Sequence, residues 1–154
     1  VGSEMCIRDR FKKILVPTDG SATAQSAAAT AAELAKSQGA EVVGVYVIDP
    51  FPYIGIGDAS AVGLQAYMAD ARNAAGQGLD ALGQVCKAQG VPFAGDTIER
   101  NVVYEGILET AEAEGCDLIV MASHGRQGVK ALILGSVAQK VLTYAKVPVL
   151  IVKG

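Results

Sequence analysis

The sequence DLIVMASHGRQGVKALILGS, residues Asp117 to Ser136, holds three signals from which an architecture follows. Leu118 to Ala122 is an apolar run with two β-branched members. An acidic residue precedes it and Ser123-His124-Gly125 follows, which predicts a strand buried on both faces. Strands of that kind belong to parallel sheets. Gly125, Gly128 and Gly135 stud the next loop, and Ser136 is placed to cap an apolar-periodic helix carrying Val137, Val141, Leu142 and Tyr144. Glycines let backbone N–H groups approach an oxyanion with no Cβ between them. The first unpaired amides of a helix bring the positive end of its dipole to the same point. Strand, glycine loop and helix start in that order predict a phosphate site.

Two widespread phosphate signatures are missing. No Gly-Lys pair followed by Ser or Thr occurs, as a Walker loop requires, and no G-x-G-x-x-G marks a dinucleotide turn. Instead Ala122, Gly125, nine further residues and then Gly135-Ser136 resemble the nucleotide-binding motif G-x-x-G-x9-G-[ST] of the universal stress proteins, with Ala122 in place of the first glycine. KKILVPTDGS from Lys12, VYVIDP from Val45 and VPVLIVK from Val147 extend the resemblance over almost all of Phe11 to Lys153.

The remaining chain reads as alternating strands and helices. Ile14 to Val16 form a short buried strand ended by Pro17, which cannot donate to a ladder. After the turn Thr18-Asp19-Gly20, Ser21 caps an alanine-rich helix from Ala22 to Lys36 that closes at Gly39. Its alanines imply close packing on the sheet. Glu41 to Ile48 is a valine-rich strand that exits through Asp49-Pro50 into an irregular loop to about Ser60. Leu64, Met68, Ala71, Ala75, Leu79, Leu82 and Cys86 mark one face of a long helix from Ala61 to about Gln89, which Gly76, Gly78 and Gly83 should weaken. A strand over Phe93 to Glu99, a helix from Val103 to Glu114 burying Ile107, Leu108 and Ala111, and a last strand Val147 to Val152 complete the pattern. This is a single-domain α/β chain, a doubly wound parallel five-stranded sheet with helices on both faces. Val1 to Arg10 match no periodicity and read as a non-native or flexible extension before a domain covering residues 11–154.

Bulk properties exclude several functions. The 154 residues are 51% hydrophobic and 19% charged with net charge −3, which suits one soluble globular domain. No stripe of Lys or Arg provides a nucleic-acid footprint, and no apolar run is long enough to span a membrane. Cys6, Cys86 and Cys116 are scattered and odd in number, which favours reduced thiols and a cytoplasmic setting over a disulfide framework or a metal site.

The resemblance implies sheet order 3-2-1-4-5, which places Pro17-Thr18-Asp19 beside Met121-Ala122. It further implies that Asp19 contacts the adenosine part of ATP and Val47 offers its backbone to adenine. The amides of Gly125 and Gly135 would hold phosphates, and Ser136 would add its hydroxyl and amide. His124, Gly128 and Val137 belong to the same set, Arg126 and Lys130 supply charge, and the cofactor is ATP, alone or with Mg2+ or Mn2+. No catalytic and no protein-bound metal residue is assigned. A homodimer through the C-terminal strand would cover an otherwise open sheet edge.

The residues themselves leave other readings open. Asp19 could simply shape an Asp-Gly turn, and the glycine loop could be an ordinary connection. Ser123, His124 and Asp19 have the residue types of a nucleophilic triad, but neighbours on an extended segment point to opposite faces, so Ser123 and His124 are not expected to bond each other. Gly55 and Gly57 lack the helix-capped third glycine of a dinucleotide fingerprint and read as lid or linker. The functional classes that remain are an ATP-binding regulatory protein in a stress response, a weak nucleotide-hydrolysing enzyme on the same scaffold, and a nucleotide-free interaction module.

Overall fold

The computed structural model describes residues 11–50, 60–124 and 134–153. Strands β1 (Lys13–Pro17), β2 (Glu41–Ile48), β3 (Phe93–Glu99), β4 (Leu118–Ala122) and β5 (Val149–Val152) form one sheet in the order β3-β2-β1-β4-β5, with every neighbouring pair parallel. Parallel neighbours require crossovers, and four helices lie between the strands: α1 (Ala22–Gln38), α2 (Ser60–Ala88), α3 (Val103–Ala113) and α4 (Ser136–Tyr144).

Side-chain alternation along β1 shows how the sheet is covered. Ile14 and Val16 pack with Ala28, Ala31, Ala32 and Ala35 of α1 and with Leu82 and Cys86 of α2. Leu15, between them, packs with Ile107 and Ala111 of α3 and Ala138 and Val141 of α4. Two helices therefore cover each face, the doubly wound arrangement expected from the apolar runs. Ile14, Leu15, Val16, Ile119 and Val120 have no exposed surface, and at about 1.5–3 kcal/mol for each large aliphatic side chain this central pair dominates the core.

Local signals set the helix ends. Ser21 is the N-cap of α1, its hydroxyl accepting the Ala24 N–H at 3.2 Å, and Gly39 closes the helix in the left-handed region at φ 66°. α2 runs unbroken through Gly76, Gly78 and Gly83, contrary to the weakening expected. At two of these positions tertiary contact replaces propensity: a Cβ on Gly83 would stand 3.1 Å from the Phe93 ring, and one on Gly78 would stand 3.4 Å from Gly20 Cα.

The C-terminal third needs two corrections. The last strand begins at Val149, not Val147, because Pro148 lies ahead of it and contributes only its carbonyl, to the N–H of Ile119. Leu142 and Tyr144 do not face the core: they are 41% and 54% exposed while Ala138 and Val141 are buried. Tyr144 stacks on Tyr104 at 5.7 Å between ring centroids.

Cys86 and Cys116 are free and buried, and burial pushes both thiols from 9.0 up to about 11; for Cys116 the charge of Lys13 opposes this. With Cys6 replaced by Ser, native protein should resist thiol reagents at mildly alkaline pH, and urea should expose both cysteines to labelling. The folded pKa values are raised, so the unfolded chain loses these protons first. Stability should accordingly fall as pH rises from about 9 to about 11.

Candidate functional site

In an open parallel sheet a crevice forms beyond the carboxyl ends of the strands where the winding reverses. Here that point lies between β1 and β4, which pair at Ile14–Leu118 and Leu15–Ile119 and lead to helices on opposite faces. Pro17 is the last residue of β1, opposite Val45. Thr18 is buried and donates its N–H to the Val45 carbonyl at 2.9 Å.

The β1 exit is held by short-range hydrogen bonds. The Thr18 hydroxyl accepts the Gly20 N–H at 3.1 Å, and Asp19 Oδ1 accepts the Ser21 N–H at 2.9 Å. Asp19 thus does shape its Asp-Gly turn, while the helix cap is Ser21. Thr23 Oγ1 donates to the His124 carbonyl at 2.9 Å, so the hydroxyl of Ser21, 3.0 Å from Thr23 Oγ1, is the donor of that second bond. This relay ties the first turn of α1 to the β4 exit across 101 residues of sequence.

Alternate residues of a strand turn their N–H and C=O to opposite neighbours. The carbonyl of Val45 faces β1, and that of Ile48 faces β3, where it accepts the Arg100 N–H. Val47 therefore faces the β1 side, past the point where the β1 ladder stops, and no backbone group of the described residues pairs with it there.

At the β4 exit, Met121 is buried and Ala122 is a half-buried strand residue paired with Val152. The Ser123 N–H donates to Val152 O and its carbonyl accepts the Gly135 N–H at 2.7 Å. That bond alters two expectations. The N-cap of α4 is Gly135, at φ −60° and ψ 156°, and Ser136 is the exposed first residue of the helix. The Gly135 amide is occupied within the chain, which leaves Ser136, Val137 and Ala138 as the first N–H groups without an intrahelical partner. Gly135 is needed for room rather than for a positive φ: a Cβ would stand 3.0 Å from Ser123 O and 3.5 Å from His124 Cα.

Ser123 Oγ and His124 Nδ1 are 3.0 Å apart, so these neighbours do bond each other, contrary to the alternation argument. The strand ends at Ala122 and the backbone bends at Ser123, where the two-residue period no longer applies. The pair still does not make a nucleophile and base, because Ser123 is 3% exposed and offers an electrophile no approach.

β1, β4 and α4 thus bring Thr18, Asp19, Ala122, His124, Gly135 and Ser136 together beyond the carboxyl ends of the central strands, with Val47 beside them near the end of β2. Gly125, Arg126, Gly128 and Lys130 lie outside the described residues, as do Gly55, Gly57 and Cys6. Sequence reasoning missed Thr23 and the Ser123–His124 contact. A hydroxyl two residues past a serine cap was the one visible hint of the first. Clefts of about 400 Å3 beside Asp96, Arg100 and Glu109, and about 370 Å3 beside Pro50, Met68 and Arg72, contain none of the crevice residues. Among the described residues no group of three His, Cys, Asp or Glu side chains is placed to hold a metal ion, and no helix is long and apolar enough to cross a membrane.

Comparison with known proteins agrees with this fold. Universal stress protein MJ0531 of Methanocaldococcus jannaschii is 37% identical over 144 residues, covering 93% of this chain and 82% of that protein. The solved structure of MJ0577, a universal stress protein of the same organism, superimposes with a TM-score of 0.77 at 28% identity, over 94% of this chain and 96% of that one. A universal stress protein from Archaeoglobus fulgidus, solved in complex with dAMP, shares the fold with a TM-score of 0.68 at 21% identity, over 92% and 97% of the two chains. The sequence pattern of the universal stress protein family matches residues 10–153, and the chain belongs to that family.

Proposed function

We propose that this chain is a cytoplasmic ATP-binding regulatory protein acting in a stress response, with ATP held in the crevice between β1 and β4, alone or with Mg2+ or Mn2+. The observation that carries this reading is the Thr23–His124 bond, because it holds the start of α1 against the β4 exit, to which the Gly135–Ser123 bond holds the start of α4. Both helix dipoles favour an anion there. Residues at the crevice suit the rest of the nucleotide. Among the described residues the N–H and C=O of Val47 have no backbone partner and offer a donor and an acceptor to an adenine edge, Asp19 stands at the β1 turn for the ribose, and Ser136 and Val137 present amides without an intrahelical partner to phosphates. Met121 and Ala122 line the strand end, and Gly125, Arg126 and Gly128 would complete the phosphate cradle. A cation would enter on the phosphates, which supply its oxygen ligands. The dAMP complex of the Archaeoglobus fulgidus relative supports an adenine nucleotide as the ligand class.

Mass spectrometry of protein purified without added nucleotide tests this directly, followed by calorimetric titration with ATP and Mg2+. Absence of both carried-over nucleotide and binding heat would sink the proposal.

The alanine at the first motif position also yields a prediction. Ala122 has extended strand geometry, which alanine adopts without strain, so it adds only one methyl group beside the ligand. Wild type and Ala122→Gly should bind ATP within about tenfold of each other, or about 1.4 kcal/mol. Binding seen only in Ala122→Gly would show that the methyl blocks the site.

A further inference from the structure

We propose that the open β3 edge and the cleft beside it bind an extended basic segment of a partner protein, which joins the sheet as an added strand and sets a lysine or arginine against Asp96. β3 pairs with β2 on one side and, among the described residues, with nothing on the other. The Pro92 carbonyl accepts the Val42 N–H and the Arg100 N–H donates to the Ile48 carbonyl, both at 2.9 Å. Backbone groups alternate along a strand, so Phe93, Gly95, Thr97 and Glu99 turn their N–H and C=O outward. Each offers a donor and an acceptor to an incoming strand.

The sheet face beside this edge is only half covered. Ile107 and Ala111 hold α3 over Leu15, Val43 and Val45 of the inner strands. Farther out, Asp96, Ile98 and Arg100 on the same face of β3 form one wall of a cleft of about 400 Å3, and Glu109, Ala113 and Glu114 at the carboxyl end of α3 form the other.

Charge selects the occupant. Glu109 is paired with Arg100, and Glu114 stands 3.9 Å from Lys13. Asp96 is half-buried, and among the described residues its carboxylate has no hydrogen bond or ion pair. The last turn of α3 holds no basic residue, so the negative end of its dipole adds to these carboxylates. An aliphatic stem suits Ile98 and Ala113 while a cationic head suits Asp96, and lysine and arginine combine the two. Asp96 and Glu99 would also set like charges against a second copy of β3, which opposes self-pairing and leaves the edge to a basic partner.

The probes are two acetylated heptapeptides, one of alternating lysine and valine and one of alternating glutamate and valine, titrated into 15N-labelled protein. The lysine peptide should bind at least about tenfold more tightly than the glutamate peptide and should slow amide exchange at Phe93, Gly95, Thr97 and Glu99. Asp96→Asn should weaken it at least about tenfold, whereas Glu33→Gln, at an exposed position of α1 on the opposite face, should leave it within about twofold. Asp96→Lys should make the glutamate peptide the tighter ligand. Absence of binding, equal affinity for the two peptides, or exchange slowed only along β5 overturns the proposal. Equal losses in Asp96→Asn and Glu33→Gln would show attraction to the net charge of the chain, and overturn it as well.

Discussion

Gly135→Val is expected to abolish detectable ATP binding, a loss of at least about 100-fold or 2.7 kcal/mol, and to lower stability as well. From motif spacing alone this substitution would be expected to spoil the phosphate pocket and leave the fold intact. The structure changes the second half of that expectation. A Cβ at position 135 would stand 3.0 Å from the Ser123 carbonyl oxygen and 3.5 Å from His124 Cα. Both neighbours are backbone atoms, which cannot turn aside as a flexible side chain could. Valine adds two more carbons beyond that Cβ, so the 2.7 Å bond from Gly135 N to Ser123 O must lengthen and the start of α4 must swing away from the β4 exit. Overpacking of this kind costs about 1–3 kcal/mol. For a domain of this size that is a fall in Tm of roughly 2–4 °C per kcal/mol. Gly135→Ala should lie between wild type and valine in both respects. Calorimetric titration with ATP, paired with thermal denaturation of each variant, separates the two effects. A folded Gly135→Val protein with wild-type affinity would remove Gly135 from the site.

The second large effect concerns assembly. β5 pairs with β4 on one side and, among the described residues, with nothing on the other. Along it Val149 and Ile151 pack toward α3 and α4, and Val152 packs on the α1 face, while Leu150 remains 39% exposed at the sheet edge. A bare edge carrying an uncovered leucine invites pairing with a second copy of the same strand, which would cover both edges at once. Light scattering of wild type at micromolar concentration should give the mass of a homodimer, and Leu150→Glu should give a monomer. By symmetry each substitution acts twice. Two lost leucine contacts at about 1.5–3 kcal/mol each, before the cost of burying two charges, predict a dissociation constant raised at least about 100-fold. A wild-type monomer mass would overturn the dimer, and a dimer persisting in Leu150→Glu would move its interface away from β5.

Most of the architecture was legible without coordinates. β2, β3 and β4 have the boundaries read from their apolar runs, and α1 has the cap and terminus written in Ser21 and Gly39. Those features depend on side-chain chemistry within a few residues, which is why a linear reading reaches them. The glycine-rich α2 departs from its local signal because Gly78 and Gly83 meet Gly20 and Phe93, contacts that no helix propensity contains. Leu142 and Tyr144 sit at core-like spacing and yet face outward, because among the described residues no further layer covers that helix face and only Tyr104 stacks on Tyr144.

At the crevice the division is sharper. Residue types and spacing marked the β1 turn, the β4 exit and the start of α4 as parts of one phosphate site, since glycine and helix-start signals are local. Which atoms are available there was decided by tertiary contact. The Gly135 amide is taken by Ser123, the cap of α4 falls on Gly135 rather than Ser136, and Val47 is left open because β1 ends opposite Val45. Thr23 reaches His124 from 101 residues away, and the bend at Ser123 turns adjacent side chains toward each other where strand geometry would part them. A sequence determines which hydrogen-bonding groups a site possesses. Only the folded chain determines which of them are already paired, because each pairing depends on where distant backbone happens to stop.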